Sequence, residues 1–293
     1  MTSATSGAPS PNATAATCFG GGVEGYRDFL IETEGAADPV TFRLERREQY
    51  FAEFAINRPR AGFRADREVF LRNIHRHRPE PDLDPRMVWL LATAKLNQAE
   101  RFGVGLGEVY GKDHDKFDTE PERLYVQLQE HYHTRILADI VSMFDLPFPT
   151  VPPSFSMRTT IRLFVALPHE WTLHFVGASE IVGCVLFRAM RDKGVELFAD
   201  DPPVAQRIRS LYDEILADEV GHVGFIAAKL SRSGRAATRL LARHVAWRAI
   251  LGSAPEVSLL FGRDELRRRL AARFDVEKAA REFAGRAYGA AAM

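Results

Sequence analysis

The chain has 293 residues, of which 46% are apolar and 27% charged, with 39 basic residues balanced by 39 acidic ones. That length suffices for one large domain or two small ones with a sizeable core, and a net charge of zero leaves no global attraction to nucleic acid or to an anionic membrane. Two cysteines, Cys18 and Cys184, make no disulfide framework and fit a reducing, cytoplasmic compartment.

Residues 1–22 are rich in Ala, Ser, Thr, Gly and Pro and contain no Lys or Arg, so they lack the basic start and apolar core of a secretory signal and read as a disordered tail. From 23 to 293 the chain reads as a single helical domain without the period-2 alternation of strands. Its longest apolar stretches are interrupted by His, Glu, Arg or Ser within about 18 residues, so no membrane span is expected. Two amphipathic helices, 41–57 and 65–77, come first. The breaker RPEPDLDP (78–85) ends with Asp84 as an N-cap and Pro85 at the first helical position.

A long helix then runs from 85 to about 110, and after a polar loop Thr119 caps a second one that reaches about 144, where DLPFPTVPP stops it. A third covers 157–193, kinked or split at Pro168 and closed by Gly194; a fourth covers 203–231. Helices at 235–253, 262–273 and 275–288 complete the chain. Short loops join the first long helix to the second and the third to the fourth. The expectation is an all-α fold: two antiparallel hairpins forming a four-helix bundle over 85–231, with extra helices at both ends.

Two of these helices carry Glu-x-x-His, as Glu130–His133 and Glu219–His222. On a helix, positions i and i+3 share a face, so each motif aims a carboxylate and an imidazole at one point. With 22 Glu and 9 His, chance alone supplies about 0.7 such pairs, so the pattern by itself is weak. Its weight comes from context: each motif lies mid-helix, one in each hairpin. A dinuclear site needs one further Glu from each remaining helix. Glu100 lies about ten residues before the first loop and Glu130 about ten after it, which puts them at one level at 1.5 Å per residue. Glu108 falls roughly three turns nearer the loop and reads as a solvated helix-end charge. On the third helix, Glu180 sits among Val176, Gly177, Gly183, Cys184 and Phe187, and a carboxylate buried there without a partner is costly. Glu170, beside Pro168, reads as a helix-start residue.

The candidate metal ligands are therefore Glu100, Glu130, His133, Glu180, Glu219 and His222. Their four negative charges match two divalent cations, and oxygen-rich ligation with one imidazole per metal suits iron or manganese rather than a closed zinc site. Asp218 stands where it could orient the outer nitrogen of His133, and Gln129 holds the matching position for His222.

The order Glu, Glu-x-x-His, Glu, Asp-Glu-x-x-His over residues 85–230 resembles the ferritin-like di-iron carboxylate superfamily, and the layout is nearest to its p-aminobenzoate N-oxygenase group. The resemblance implies two iron ions, with manganese admitted in one site, and an O2-dependent oxygenase or oxidase. It implies a small organic substrate (amine, amino acid or fatty-acid-like), an external electron donor, and specialised metabolism as a setting. A homodimer is the default assembly. The N-oxygenase group carries an extra His one turn before the last ligand Glu; here that position is Ile215, which argues against N-oxygenation. His174 is on the wrong face to replace it. Three alternatives remain: a ferroxidase or iron-handling protein, a radical-generating di-metal protein, for which Tyr212 is the candidate aromatic although an ordinary core tyrosine is the favoured reading, and an all-helical interaction module without metal. Arg123 could meet a substrate carboxylate or be a solvated helix-start residue.

Overall fold

The computed structural model describes residues 39–112, 121–148, 166–246, 254–272 and 274–283, together with 159, 162, 163 and 248. Among these residues all regular structure is helical: α1 (Pro39–Ile56), α2 (Arg67–Ile74), α3 (Pro85–Lys112), α4 (Pro121–Ser142), α5 (His169–Leu197), α6 (Pro202–Lys229), α7 (Arg232–Leu241), α8 (Pro255–Phe261), α9 (Arg263–Ala271) and α10 (Val276–Phe283), with a π-helical turn, Ala242–Ala246, extending α7. The 1–22 tail with Cys18, the Thr119 cap and the stretch from 284 onward lie outside the described residues.

Local chemistry sets the starts of these helices. Asp66 accepts from the backbone N–H groups of Glu68 and Val69 (2.9 and 3.0 Å), capping α2, and Asp84 accepts from Arg86 N–H at 2.7 Å, opening α3. Ser231 caps α7 through Gly234 N–H at 3.1 Å. Pro202 and Pro203 occupy the first positions of α6, where a missing N–H costs nothing.

The four long helices form a closed ring of neighbours. α3 packs on α4, α4 on α6, α6 on α5 and α5 back on α3. Residues 198–201 alone join α5 to α6, so these two run antiparallel. α8 covers α3, α7 and its π turn cover α5, and α10 covers α6. Trp89, Phe198 and Tyr212 knit the ring together: the Trp89 ring lies 5.5 Å from Phe198 and 6.1 Å from Tyr212, and its indole N–H donates to Met190 C=O at 2.9 Å.

The structure refines the expected helix boundaries. The expected split at Pro168 is seen: residues 159, 162, 163 and 166 are helical, Leu167 and Pro168 are not, and α5 begins at His169 with Pro168 as its N-cap, ψ 143° in the extended region. Gly194 does not end α5, which continues to Leu197. A Cβ at 194 would lie 2.5 Å from Trp89 Cζ2 and 2.9 Å from Ile208 Cγ2, so the glycine serves the close approach of three elements instead. Of the helix expected over 235–253, α7 and the π turn cover residues up to 246, while 247 and 249–253 lie outside the described residues; Pro255 starts a further helix, α8, that was not expected. Finally, α5 from Glu170 is long and apolar enough to cross a membrane by length and composition alone. It carries Glu180 in its middle and lies along α3 and α6.

Candidate metal centre

Six side chains from the four ringed helices converge. Glu100 comes from α3, Glu130 and His133 from α4, Glu180 from α5, and Glu219 and His222 from α6. They form two overlapping groups, Glu100–Glu130–His133–Glu219 and Glu130–Glu180–Glu219–His222, and within each group the candidate ligand atoms lie within 4.8 Å of one another. Glu130 and Glu219 belong to both. The imidazole rings of His133 and His222 are 5.8 Å apart, centre to centre. Both imidazoles are fully buried, and each of the four carboxylates is nearly or largely so. Gly183 makes room for one of them: a Cβ there would stand 3.1 Å from Glu219 Oε2.

The two histidines face the cluster through the same ring nitrogen. Nδ1 of His133 lies 3.1 Å from Glu100 Oε2 and 3.3 Å from Glu219 Oε1, and Nδ1 of His222 lies 3.3 Å from both Glu130 Oε1 and Glu180 Oε2. The outer nitrogens turn to Asp218 and Gln129. His133 Nε2 lies 3.2 Å from Asp218 Oδ2 and His222 Nε2 lies 2.9 Å from Gln129 Oε1.

One carboxylate fixes both tautomers. An ionised Asp218 can only accept, so His133 Nε2 carries a proton toward it, and the Gln129 amide must present its NH2, which donates to Asp218 Oδ1 at 2.5 Å. The Gln129 carbonyl is then left facing His222, so His222 Nε2 carries a proton as well. With both Nε2 atoms protonated, a metal ion that displaced the Nδ1 proton of each ring would meet an Nδ1 lone pair facing the cluster. A hydrogen bond behind a metal-binding imidazole sets its orientation and strengthens it as a donor.

Asp218 is held in turn by Arg47 on α1, whose Nη2 donates to both carboxylate oxygens at 2.7 and 2.6 Å, with both side chains fully buried. The guanidinium also lies 5.0 Å over the ring of Tyr132. Sequence reasoning missed Arg47. A signal was present: Arg47 shares a helical face with the apolar Tyr50 and Phe51 at i+3 and i+4, an unusual place for an unpartnered charge.

The electrostatics are those of a crowded anionic cavity. Burial and the neighbouring Glu130 push Glu100 up to about 8. Burial drives Glu219 well above the usual carboxylate range, and Glu180 and Glu100 add to the effect. Glu180 moves the other way: burial opposes its charge, yet the hydrogen bond from His222 holds it low. Burial opposes charge on the imidazoles too, but Asp218 and Glu100 raise His133 to about 10, and Glu130 and Glu180 raise His222 to about 9. A buried Glu/His cluster of this composition can hold a metal ion, and two divalent cations would neutralise its four carboxylates.

The remaining candidates are placed elsewhere. Tyr212 is buried with its hydroxyl 3.1 Å from Thr93 Oγ1 and its ring 6.1 Å from Phe187. Ile215 is a buried core residue, and Glu170 is an exposed residue in the first turn of α5. His174 is hydrogen-bonded through Nδ1 to Thr238 Oγ1 at 2.8 Å. The side chains of Glu108 and Arg123 lie outside the described residues. Comparison with protein-family models, with curated proteins and with solved structures finds no match for this chain.

Proposed function

We propose that this chain is a ferritin-like four-helix bundle that holds two iron ions and works as an O2-dependent oxygenase or oxidase on a small organic substrate. The observation that carries the reading is the sharing of Glu130 and Glu219 between two groups of candidate ligands, each completed by one imidazole and one further carboxylate. A single-metal site has no use for this duplication, whereas two ions side by side call for two carboxylates that reach both.

The residues fit such a pair. Four carboxylate donors and two imidazoles form an oxygen-rich set with no thiolate, which suits iron or manganese better than structural zinc. When bound, the iron pair would supply the electrons and open positions for reducing dioxygen. The protein's part is positional. His133 and His222 present Nδ1, held in tautomer by Asp218 and Gln129. Gly183 leaves the space that Glu219 occupies, since a Cβ there would stand 3.1 Å from its Oε2. The buried setting excludes bulk water, which strengthens every charge interaction inside. With Ile215 in place of an extra imidazole, this chain offers six ligands, which favours carbon oxidation or desaturation over N-oxygenation.

The test is metal content per chain on protein loaded anaerobically with ferrous ion, followed by dioxygen uptake in the presence of an external electron donor. About two irons per chain, lost in both His133→Ala and His222→Ala, support the reading. A metal-free protein whose fold ignores chelators overturns it. Rapid iron oxidation with no organic substrate, in a multi-subunit cage, would assign a ferroxidase role instead.

A further inference from the structure

α5, α6 and α7 line a cavity of about 440 Å³. Its wall is apolar: Gly177 and Ile181 from α5, Val223 and Ile226 from α6, and Phe274 before α10. In sequence the α5 and α6 wall residues lie within about one helical turn of Glu180 or His222, so the cavity is built on the two helices that carry Glu180, Glu219 and His222. A second space of about 500 Å³ shares Ile181, Arg239 and Phe274 with it and extends the apolar surface over Val185, Leu240 and Leu270. Together they form an elongated greasy trough.

Its rim is cationic. Arg232, Arg235 and Arg239 line the first cavity, and their spacing of three and four residues puts all three on one face of α7. Among the described residues, no acidic side chain lines either space. Elsewhere on the surface, arginines of this chain find carboxylates: Arg76 pairs with Glu80, Arg86 with Asp200, Arg135 with Glu48 and Arg268 with Glu265. Among the described residues, the three of α7 have neither an ion pair nor a side-chain hydrogen bond. Three like charges are thus gathered at the mouth of an apolar space with nothing to neutralise them. Planar guanidinium forks suit a carboxylate, which they grip through two parallel hydrogen bonds.

We propose that this trough binds an amphiphilic acid, a hydrocarbon chain ending in a carboxylate, with the head group held by Arg232, Arg235 and Arg239 and the chain lying against Ile181, Val223 and Ile226. A volume in the range of small-molecule sites, apolar walls and a few convergent polar groups are what such a ligand requires. That the acid is the substrate rests on the di-iron reading above; that it binds does not.

The test is calorimetric titration of the full chain with decanoate, with and without two equivalents of ferrous ion under anaerobic conditions. Saturable one-to-one binding is expected in both states. Decanol should bind at least tenfold more weakly, and the Arg235→Gln/Arg239→Gln variant, its helicity checked by circular dichroism, should lose at least tenfold for decanoate but little for decanol. An Ile226→Trp variant that fills the trough should weaken both. Equal affinity for decanol, indifference to the arginine substitutions, or binding seen only when iron is present would each overturn the proposal, the last by making the acid a ligand of the metals. Decanoate binding to a protein that takes up no iron would sink the di-iron reading and leave this one standing.

Discussion

Replacing Arg47 with methionine keeps an unbranched apolar side chain and removes the guanidinium that lies over the Tyr132 ring and faces Asp218. Both side chains of this pair are fully buried, and the guanidinium reaches both carboxylate oxygens. Breaking a buried pair from one side leaves the partner charge uncompensated, which costs about 3–5 kcal/mol. Asp218 keeps the Gln129 amide and the His133 ring as donors, which puts the expected loss at the lower end, about 3 kcal/mol. For a chain of this size that corresponds to a fall of roughly 6–12 °C in the midpoint of thermal unfolding. Asp218→Asn strands Arg47 in the same way. The double variant removes both charges and should be less destabilised than the sum of the singles, by about 2 kcal/mol or more. Urea unfolding followed by circular dichroism on the four proteins measures the cycle. An Arg47→Met loss below about 1 kcal/mol, or strict additivity, would refute the view that this pair is a desolvated ion pair supporting the centre.

The pH dependence of the metal-free protein follows from the cluster. Glu100 at about 8, His222 at about 9 and His133 at about 10 all lie above their ordinary values, so the folded state holds more protons than the unfolded one. Its stability is therefore greatest at low pH within this window and falls as pH rises from about 6.5 to 9, whereas metal affinity rises because each ion displaces those protons. A flat unfolding midpoint across that range contradicts the argument. Gln129→Leu takes the acceptor from His222 and a donor from Asp218, and a 10–100-fold loss of metal affinity is expected in competition with a chelator. Gly194→Ala forces a methyl into Trp89 and Ile208, both core side chains, and should cost about 1–3 kcal/mol in denaturant titrations with metal sites unaffected.

What could be read from the sequence was whatever local periodicity carries. Spacing of i and i+3 put Glu130 with His133 and Glu219 with His222, and rise per residue put Glu100 level with Glu130; the structure brings these together with Glu180. Gln129 and Asp218, each preceding a motif Glu, face the opposite helix's imidazole. Three-dimensional partners were harder to see. Arg47 looked like one more basic residue in the run LERRE, because nothing local marks a partner on α6. Gly194 read as a helix stop because its true constraint, the Trp89 ring, sits on another helix. Pro168 was legible as a break because its missing N–H and its restraint on Leu167 interrupt a helix locally, with helical residues on either side.

The bond between Arg47 and Asp218 spans 171 positions of the chain. At a synthesis rate of roughly 5–20 residues per second, about 10–30 s separate the emergence of one from that of the other. Through that interval a ribosome-bound chain has α1, α3, α4 and α5 in hand but neither the anion that the α1 guanidinium needs nor the last Glu and His of the centre. Three of the four clustered carboxylates then exist without the fourth helix that would enclose them. A nascent chain stopped before residue 222 should remain loosely assembled and accessible to protease, and metal capture becomes an event that waits for the emergence of α6.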